Sequence, residues 1–287
     1  MSDKNKYKIN LPIPQAEDDL PPLFDSHAHY TDTKFPSATE AFGGIDGLLK
    51  YLFDSGIVGA IMNISTNVVN ARDVVAQSLK FPNMYSAVGI HPTDVEISPK
   101  SLDEQLSELE EMIRDRDSLK IKALGEIGLD YYWRTDNKLK QKAFFEAQLE
   151  LAEKYSVPII IHDREAHGDI FDEIIKHPNI KGVFHCYSGS AEMARELVRR
   201  GWFISFTGVV TFDNAKKVKE AAECVPLDRL LIETDCPYLA PVPCRGRINH
   251  SGLVPFTAQA LATLHGIDTA ELIRLTDKNA RELFCIS

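Results

Sequence analysis

Two histidines separated by a single residue, His27 and His29, lie at the end of a short apolar run that begins at Pro21. Side chains of a β-strand alternate between its two faces, so these imidazoles would project to the same side, close enough to bind one metal ion. An isolated pair of this kind also occurs on surface turns. The pair becomes informative only if other ligand-type residues occupy equivalent positions.

Four more side chains that could bind a metal each stand at the end of an apolar run. They are Glu126 in ALGEIGLDY, His162 in VPIIIHDR, His185 in GVFHCYSG and Asp235 in LLIETDCPYL. In a (β/α)8 barrel the functional residues come from the C-terminal ends of several strands. We therefore predict that the six side chains converge at that face of such a barrel.

Short apolar runs alternate with amphipathic segments along the chain, as expected for successive βα units. The predicted strands are 23–26, 59–63, 84–89, 121–125, 158–161, 182–184, 202–206 and 230–233. The predicted helices are 45–55, 68–80, 102–116, 138–155, 168–176, 191–200, 214–223, 254–265 and 269–283. The pattern predicts an α/β protein with eight parallel strands.

The fold class follows from a missing motif and from the order of the candidate ligands. An open doubly wound sheet typically carries a glycine-rich phosphate loop, and neither GxGxxG nor GxxxxGK[ST] occurs here. Only a closed barrel brings the ends of the first and eighth strands together. We predict a single-domain TIM barrel over residues 23–287, with a metal site at the C-terminal ends of its strands and a flexible N-terminal lead-in over residues 1–22.

Composition limits the location and the partners. The chain has 287 residues, of which 44% are hydrophobic, and no run approaches the ~18 apolar residues of a membrane span. The polar N-terminus is unlike a secretory signal, and five cysteines without paired spacing favour reduced thiols in a cytoplasmic protein. A formal net charge of −10 argues against coating a long duplex, so any nucleic acid would be bound locally. No membrane contact and no stable protein partner are inferred.

Four histidines and two carboxylates suit a pair of divalent ions, with zinc, manganese and magnesium as candidates. In this interpretation Glu126 bridges the ions and Asp235 also orients or deprotonates the attacking water. The remaining ligands divide between the ions, with His27, His29 and Asp235 on one and His162 and His185 on the other. Cys186 and Cys236 each follow a proposed ligand, and strand alternation would turn both thiols away from the site, towards the outer helices.

Seven motifs in order resemble the TatD family of metal-dependent deoxyribonucleases, within the amidohydrolase-like barrels. They are DSHAH, GIHP, GEIGLDYY, IHDR, FHCYSGS, ETDCPYL and VPCRGR, and the resemblance covers the chain from about residue 24 to the C-terminus. The resemblance implies a TIM barrel, two divalent ions, and an exonuclease that cleaves phosphodiester bonds at single-stranded DNA ends through a metal-activated water. It also implies that the family's metal ligands are His27, His29, Glu126, His162, His185 and Asp235.

One segment departs from the family pattern, in which a stretch similar to RGKRNEP follows the ETD motif. Here the chain reads Arg245-Gly246-Arg247-Ile248-Asn249-His250-Ser251, and we expect this difference to affect substrate preference at the barrel mouth. The candidate substrate contacts are His91, Arg164, Arg245 and Arg247. Each arginine could pair with a phosphate oxygen, although Arg164 could instead pair with a neighbouring carboxylate. Aromatic residues 131–133 could stack on a base or simply cover the barrel rim.

Three other functions remain compatible with the sequence. A small-molecule amidohydrolase would open an amide, a lactone or another ester with the same metal-activated water. A second possibility is hydrolysis of a different nucleic-acid ester, such as a mischarged transfer RNA. The third is a binding barrel without catalysis, although that would not require six intact ligand positions.

Overall fold

The structure, a computed structural model, describes residues 8, 9, 11 and 13–287. Its strands are β1 (Leu23–Ala28), β2 (Val58–Ile64), β3 (Met84–Val88), β4 (Ile121–Asp130), β5 (Ile159–Arg164), β6 (Gly182–Phe184), β7 (Phe203–Phe206) and β8 (Leu230–Ile232). Its helices are α1 (Phe35–Ala38), α2 (Ile45–Asp54), α3 (Val68–Ser78), α4 (Leu102–Arg114), α5 (Lys138–Tyr155), α6 (His167–Ile174), α7 (Ala191–Arg199), α8 (Lys216–Cys224), α9 (Val254–His265) and α10 (Thr269–Leu283). Each predicted strand and helix has a counterpart, and the short α1 was not predicted.

The eight strands form one parallel sheet in the order β1 to β8. The first and last strands also meet, because Ser26 Oγ donates a hydrogen bond to the Ile232 carbonyl at 2.9 Å. Just beyond β8 a parallel bridge joins Ala28 to Cys236. The sheet is therefore a nearly closed barrel, and the predicted fold class is confirmed.

Apolar side chains from all eight strands fill the barrel interior. They are Phe24, Ala60, Met62, Ile64, Ala87, Ala123, Ile160, Val183, Phe203 and Leu231. Leu283 and Phe284, at the end of α10, pack against this cluster, and the rings of Phe284 and Phe24 lie 6.2 Å apart. A larger apolar layer lies between the strands and the surrounding helices. The packed interior holds the strand ends in place, which fixes the positions of the polar residues they carry.

Three strands that carry candidate ligands are longer than predicted. β1 reaches Ala28, β4 reaches Asp130 and β5 reaches Arg164. Beyond the predicted ends, β4 and β5 still pair, with Gly128 opposite His162. His27, Glu126 and His162 therefore lie within paired strands rather than just after them, and such positions are held more precisely than positions on loops.

The loop between β2 and α3 is fixed by a capping box. The Asn67 side chain accepts hydrogen bonds from the Val69 and Asn70 backbone N–H groups, and the Asn70 side chain bonds back to the Asn67 backbone. This reciprocal arrangement satisfies N–H groups that the first turn of a helix leaves without partners. It also fixes the segment from Thr66 to Asn70, which contributes to the cavity described below.

The described part of the lead-in packs against the barrel. Ile9 and Ile13 are buried in an apolar cluster that includes Leu48 of α2. Glu17 accepts hydrogen bonds from Gln259 at 2.9 Å and Thr269 at 2.8 Å. The flexibility expected for residues 1–22 also concerns residues 1–7, 10 and 12, which lie outside the described residues. Within the described chain, the helices lack the combination of length and apolar sequence that a membrane span needs.

Candidate metal centre

Glu126 of β4 lies at the centre of a cluster of histidines. Its Oε1 atom is 2.7 Å from His162 Nδ1 and 2.7 Å from His185 Nε2. Its Oε2 atom is 3.3 Å from His27 Nε2 and 3.5 Å from His29 Nε2. Only 4% of the Glu126 side chain is exposed. Side chains that are distant in sequence thus meet around one buried carboxylate at the C-terminal end of the barrel.

Asp235, which follows β8, completes this arrangement. Its Oδ1 atom lies 3.4 Å from His29 Nε2 and 3.9 Å from His27 Nε2. Its backbone N–H donates to the His27 carbonyl at 2.9 Å, so barrel closure itself positions the carboxylate. With a side chain 18% exposed, Asp235 is more accessible than Glu126. The structure therefore brings the six sequence-predicted ligands together.

Three of the histidines present a ring nitrogen to the cluster while the other nitrogen faces an oxygen. His29 Nδ1 donates to the Ile64 carbonyl at 3.2 Å, because a carbonyl can only accept. His162 Nε2 lies 3.0 Å from Asp130 Oδ2, and His185 Nδ1 lies 3.3 Å from a Glu233 oxygen. When only the outer nitrogen carries a proton, the inner nitrogen has a lone pair. This is the tautomer that a metal-binding histidine requires.

His91 has the opposite polarity. The Thr93 backbone N–H donates to His91 Nδ1 at 3.2 Å, so Nδ1 has no proton and the proton of the neutral ring is on Nε2. That Nε2 atom lies 3.5 Å from Glu126 Oε1. Burial first, and then the charge of His162, lower the pKa of His91, which favours the neutral ring. In this arrangement His91 is a hydrogen-bond donor, and it would bind a cation through Nε2 only if its proton moved to Nδ1.

The cluster favours negative carboxylates. Burial opposes ionisation of Glu126, but the surrounding histidines, with His185 foremost, hold its pKa well below the ordinary value. Burial also opposes ionisation of Asp235, yet the hydrogen bond with His29 and the charge of His185 lower its pKa. Two ionised carboxylates and four imidazole rings, which would release their inner protons when a metal binds, form an oxygen- and nitrogen-rich donor set of the kind that divalent transition metals prefer.

The donor atoms fall into three overlapping groups that could each bind a cation. The groups are His27, His29 and Glu126; His27, His185 and Asp235; and His91, Glu126 and His162, and within each group the ligand atoms lie within 4.8 Å of one another. Glu126 belongs to two groups, as expected of a bridging carboxylate. The residues thus fit divalent ions. The grouping of Asp235 with His185 differs from the division of ligands drawn from the sequence, and the number of ions stays a prediction.

A cavity of about 1040 Å³ opens over this cluster. Its wall includes His29, Glu126, His162, His185, Asp235, His91, Asp130, Trp133, Asp163, Arg164, Cys186, Thr207 and Tyr238. Arg164 is the predicted substrate-contacting arginine that lines it. A concave site with a few converging polar groups at its base is the usual form of a small-ligand or active site.

The other two predicted arginines lie elsewhere. Arg245 and Arg247 are exposed, and neither is among the residues that line this cavity. The Arg245 guanidinium instead packs over the Phe212 ring, 4.2 Å from its centroid. The turn after β8 directs these side chains away from the cavity wall, which sequence position alone did not reveal.

The segment that departs from the family pattern is buried. Asn249 donates to the Thr234 carbonyl at 2.9 Å, and Ser251 Oγ donates to the buried Asp25 carboxylate at 2.7 Å. Thr234 Oγ1 donates to the same Asp25 carboxylate at 2.7 Å. Residues 248–251 are buried and are not among the residues that line the cavity, so any effect of this segment on substrate preference would be indirect and stays a prediction. They support the junction between β1 and the segment after β8, which carries Asp235.

His250 in this segment provides a test by pH. Burial lowers its pKa from 6.5 to about 3. Above pH ~6.5 the ring is neutral in both the native and the unfolded chain. Below pH ~6.5 only the unfolded chain binds a proton at this ring. The free energy of unfolding therefore falls by ~1.4 kcal/mol for each pH unit. We expect His250→Gln to reduce the loss of stability between pH 7.5 and pH 5 by ~2 kcal/mol. Urea denaturation of metal-free wild type and variant at both pH values measures the difference, and parallel losses would contradict the assignment.

The two cysteines beside the ligands differ. Cys236 is fully buried in an apolar cluster with Tyr30 and Ala28, as predicted for a packing residue. Cys186 was predicted to turn outwards, and this was wrong, because it lines the cavity beside Thr207. Its backbone has a φ of 44°, so the strand alternation assumed in the prediction has already ended at this residue. Burial raises the pKa of the Cys186 thiol to about 12, which disfavours the thiolate.

Sequence reasoning missed two carboxylates that support the histidines. Asp130 and Glu233 are buried and face the outer nitrogens of His162 and His185. Glu233 Oε1 also accepts the Cys186 backbone N–H at 2.6 Å. Glu233 stands two residues before Asp235 in the ETD motif, and Asp130 ends the GEIGLD motif. Acidic residues next to a ligand in such a motif were the available signal.

Comparisons with known proteins place the chain in a family. Residues 24–285 match the TatD-related DNase family. YabD of Bacillus subtilis, an uncharacterized metal-dependent hydrolase, is 35% identical over 92% of this chain and 100% of its own length. YcfH of Escherichia coli, with the same description, is 33% identical over 92% and 96%. The crystal structure of YJJV, a TatD homologue from Escherichia coli K12, superposes with a TM-score of 0.82 at 28% identity, over 92% of this chain and 98% of the other. The chain belongs to the TatD-related DNase family.

Proposed function

We propose that this metal-dependent hydrolase of the TatD family is a deoxyribonuclease that cleaves phosphodiester bonds at the ends of single-stranded DNA. The observation that carries the proposal is the position of Glu126, which has five histidines within 3.5 Å of its carboxylate oxygens at the base of an open cavity. The family name, TatD-related DNase, supports a nucleic-acid substrate.

The buried position of the cluster favours an end over an internal site. His27 is fully buried and Glu126 nearly so. A phosphodiester must therefore enter the cavity to reach them. A single strand can thread a terminal linkage inwards, whereas a duplex must first separate its strands. The proposed preference is therefore for single strands and frayed ends.

The side chains divide the work of hydrolysis. His27, His29, Glu126, His162, His185 and Asp235 would hold two divalent ions, which when bound supply Lewis-acid activation of water and neutralise phosphate charge. Asp235, the more exposed carboxylate, accepts a proton from the attacking water. The oxygen of that water then forms a bond to phosphorus, and the bond between phosphorus and the departing oxygen breaks. Asp130 bonds to the outer nitrogen of His162, and Glu233 lies 3.3 Å from that of His185, so each carboxylate would favour a proton on the outer nitrogen and a lone pair towards the ion.

Two further groups can bind the substrate phosphate. His91 carries its proton on Nε2, 3.5 Å from Glu126, and can donate it to a non-bridging phosphate oxygen. Arg164 lines the cavity and can pair with a phosphate, whereas Arg134, which also lines it, is paired with Glu96 and Asp136. Asp163 pairs with His167 at 2.8 Å instead, and among the described residues no carboxylate oxygen lies within 4.0 Å of the Arg164 guanidinium, which favours the phosphate over an ion pair with a neighbouring carboxylate.

The proposal is tested by measuring cleavage directly. Protein reconstituted with magnesium, manganese or zinc is incubated with end-labelled single-stranded DNA, blunt duplex DNA, RNA and a lactone, and the products are resolved by length. We expect a ladder shortened from one end on single-stranded DNA, with slower cleavage of the blunt duplex. Hydrolysis of the lactone without cleavage of any nucleic acid would replace the proposal with a small-molecule amidohydrolase.

The salt dependence of cleavage gives a separate prediction. With a net charge of −10 and few cations in the cavity wall, the protein should neutralise few phosphates. Because salt dependence reflects counterions released from those phosphates, we expect a log–log slope of about −1 to −3 for kcat/KM against salt concentration. A slope near about −10, typical of an extended binder, or preferred cutting at internal duplex sites would contradict local end binding.

A further inference from the structure

Two exposed aromatic side chains follow β4 at the edge of the cavity. Tyr132 is 54% exposed and Trp133 is 66% exposed, and Trp133 contributes to the cavity wall. Their rings are perpendicular, with centroids 4.8 Å apart, and this contact leaves most of the indole accessible. The other tryptophan, Trp202, is 5% exposed and packs in the core. Most tryptophans are largely buried, so an indole this exposed beside a polar cavity needs an explanation.

The aromatic loop is tied to the proposed metal centre through one carboxylate. Asp130 Oδ1 accepts the backbone N–H groups of Tyr132 at 2.9 Å and Trp133 at 2.7 Å. The other oxygen of the same carboxylate, Oδ2, lies 3.0 Å from His162 Nε2. Gln141 Nε2 fixes the loop from the other side by donating to the Asp130 and Arg134 carbonyls, both at 3.0 Å. The backbone that carries the indole is therefore held at a set position relative to His162.

A cation completes the edge of the cavity. The Arg164 guanidinium carbon lies 4.4 Å from the Tyr132 ring centroid and 5.7 Å from the Trp133 ring centroid. Arg164 stands two residues after His162 on β5 and pairs with Asp130 of β4, the residue that anchors the aromatic loop. Stacking on Tyr132 orients the guanidinium without neutralising it, which leaves its charge available to an anion.

We propose that Trp133 and Arg164 form a nucleotide subsite. The base of the nucleotide next to the scissile linkage stacks on Trp133, and the phosphate of that nucleotide pairs with Arg164. This inference rests on the proposed function and specifies how that site distinguishes a nucleotide from a small amide or lactone. Recognition through a ring face tolerates any base, since each base has a π-face. The fixed loop reduces the entropy lost on binding, because the backbone that carries the indole is already ordered.

Fluorescence tests binding without turnover. Trp133 and Trp202 are the two tryptophans of the chain, so a base stacked on the exposed indole should quench its emission. Metal-loaded protein is titrated with thymidine 5′-monophosphate and, in parallel, with deoxyribose 5-phosphate, which has the phosphate but no base. We expect quenching by the nucleotide alone and at least about 5-fold tighter binding of the nucleotide by calorimetry, a factor set by the stacking of one base. Trp133→Phe should remove the quenching.

Kinetics provide the second readout. Trp133→Ala should raise KM for a single-stranded oligonucleotide at least about 5-fold, with little change in kcat or in bound metal. Trp133→Phe, which keeps a ring, should restore most of the affinity. On the same oligonucleotide with an abasic residue at its end, wild type and Trp133→Ala should have similar KM values. Arg164→Gln should raise KM on both substrates, because its partner is the phosphate.

The outcomes separate this inference from the proposed function. Cleavage of DNA by the wild type, with equal effects of Trp133→Ala on normal and abasic ends, would overturn the subsite and leave the nuclease in place. Absence of nucleotide-specific quenching would also overturn the subsite. Quenching by the nucleotide in a protein that cuts no nucleic acid would retain the subsite and refute the nuclease.

Discussion

Glu126→Gln is expected to lower the metal content and to reduce turnover by ~10²-fold or more. The carboxylate oxygens lie within 3.5 Å of five histidine nitrogens, so the substitution removes a negative charge from the centre of the donor set. Glutamine has nearly the same shape, but its amide has one acceptor oxygen and cannot bridge two cations as a carboxylate can. Metal content by mass spectrometry and kcat on single-stranded DNA measure the two effects.

A matched control distinguishes the loss of the Glu126 charge from the loss of a carboxylate charge elsewhere on the protein. Glu153→Gln makes the same change on the surface, where the carboxylate contacts His177. We expect this variant to keep wild-type metal content and turnover. Equal metal content in Glu126→Gln and Glu153→Gln would remove Glu126 from the proposed ligand set, whatever the activity of either protein.

Asp235→Asn is expected to reduce kcat by ~10²-fold or more, because it removes the carboxylate that accepts the proton of the attacking water. The side chain is more exposed than Glu126 and lies next to His29, so its loss should affect the chemical step as well as metal binding. Measurement of kcat at saturating metal separates the two contributions. A variant that recovers full activity at high metal concentration would show that Asp235 only binds the ion.

The neighbouring residue supplies the control for this position. Cys236→Ser changes a fully buried side chain directly after Asp235 that packs with Tyr30 and Ala28. We expect turnover to stay within a few-fold of wild type, since the thiol faces the apolar cluster and not the donor set. A Cys236→Ser protein that folds but loses its metal would show that the packing assignment is incomplete.

Local pattern was sufficient for the fold. Strand alternation, helical periodicity and ligand residues at the ends of apolar runs are properties of short segments, and they predicted eight strands and their order around a barrel. The boundaries were less accurate, since β1, β4 and β5 continue to pair past their apolar runs. Pairing past those runs depends on the neighbouring strand as well as on the residues of the strand itself.

The sequence by itself determined the barrel, the family and the residue types from which a metal centre could be built. Only the tertiary structure showed which side chains contact one another and through which atoms. It placed the Asp130 carboxylate next to the outer nitrogen of His162 and buried residues 248–251 beside β1. It also made His91 Nε2 a hydrogen-bond donor, because the Thr93 N–H occupies the lone pair of Nδ1. It also separated Arg164 from Arg245 and Arg247. The physical reason is that tautomers, burial and the direction of a side chain after a turn depend on groups far away in sequence, which strand periodicity does not encode.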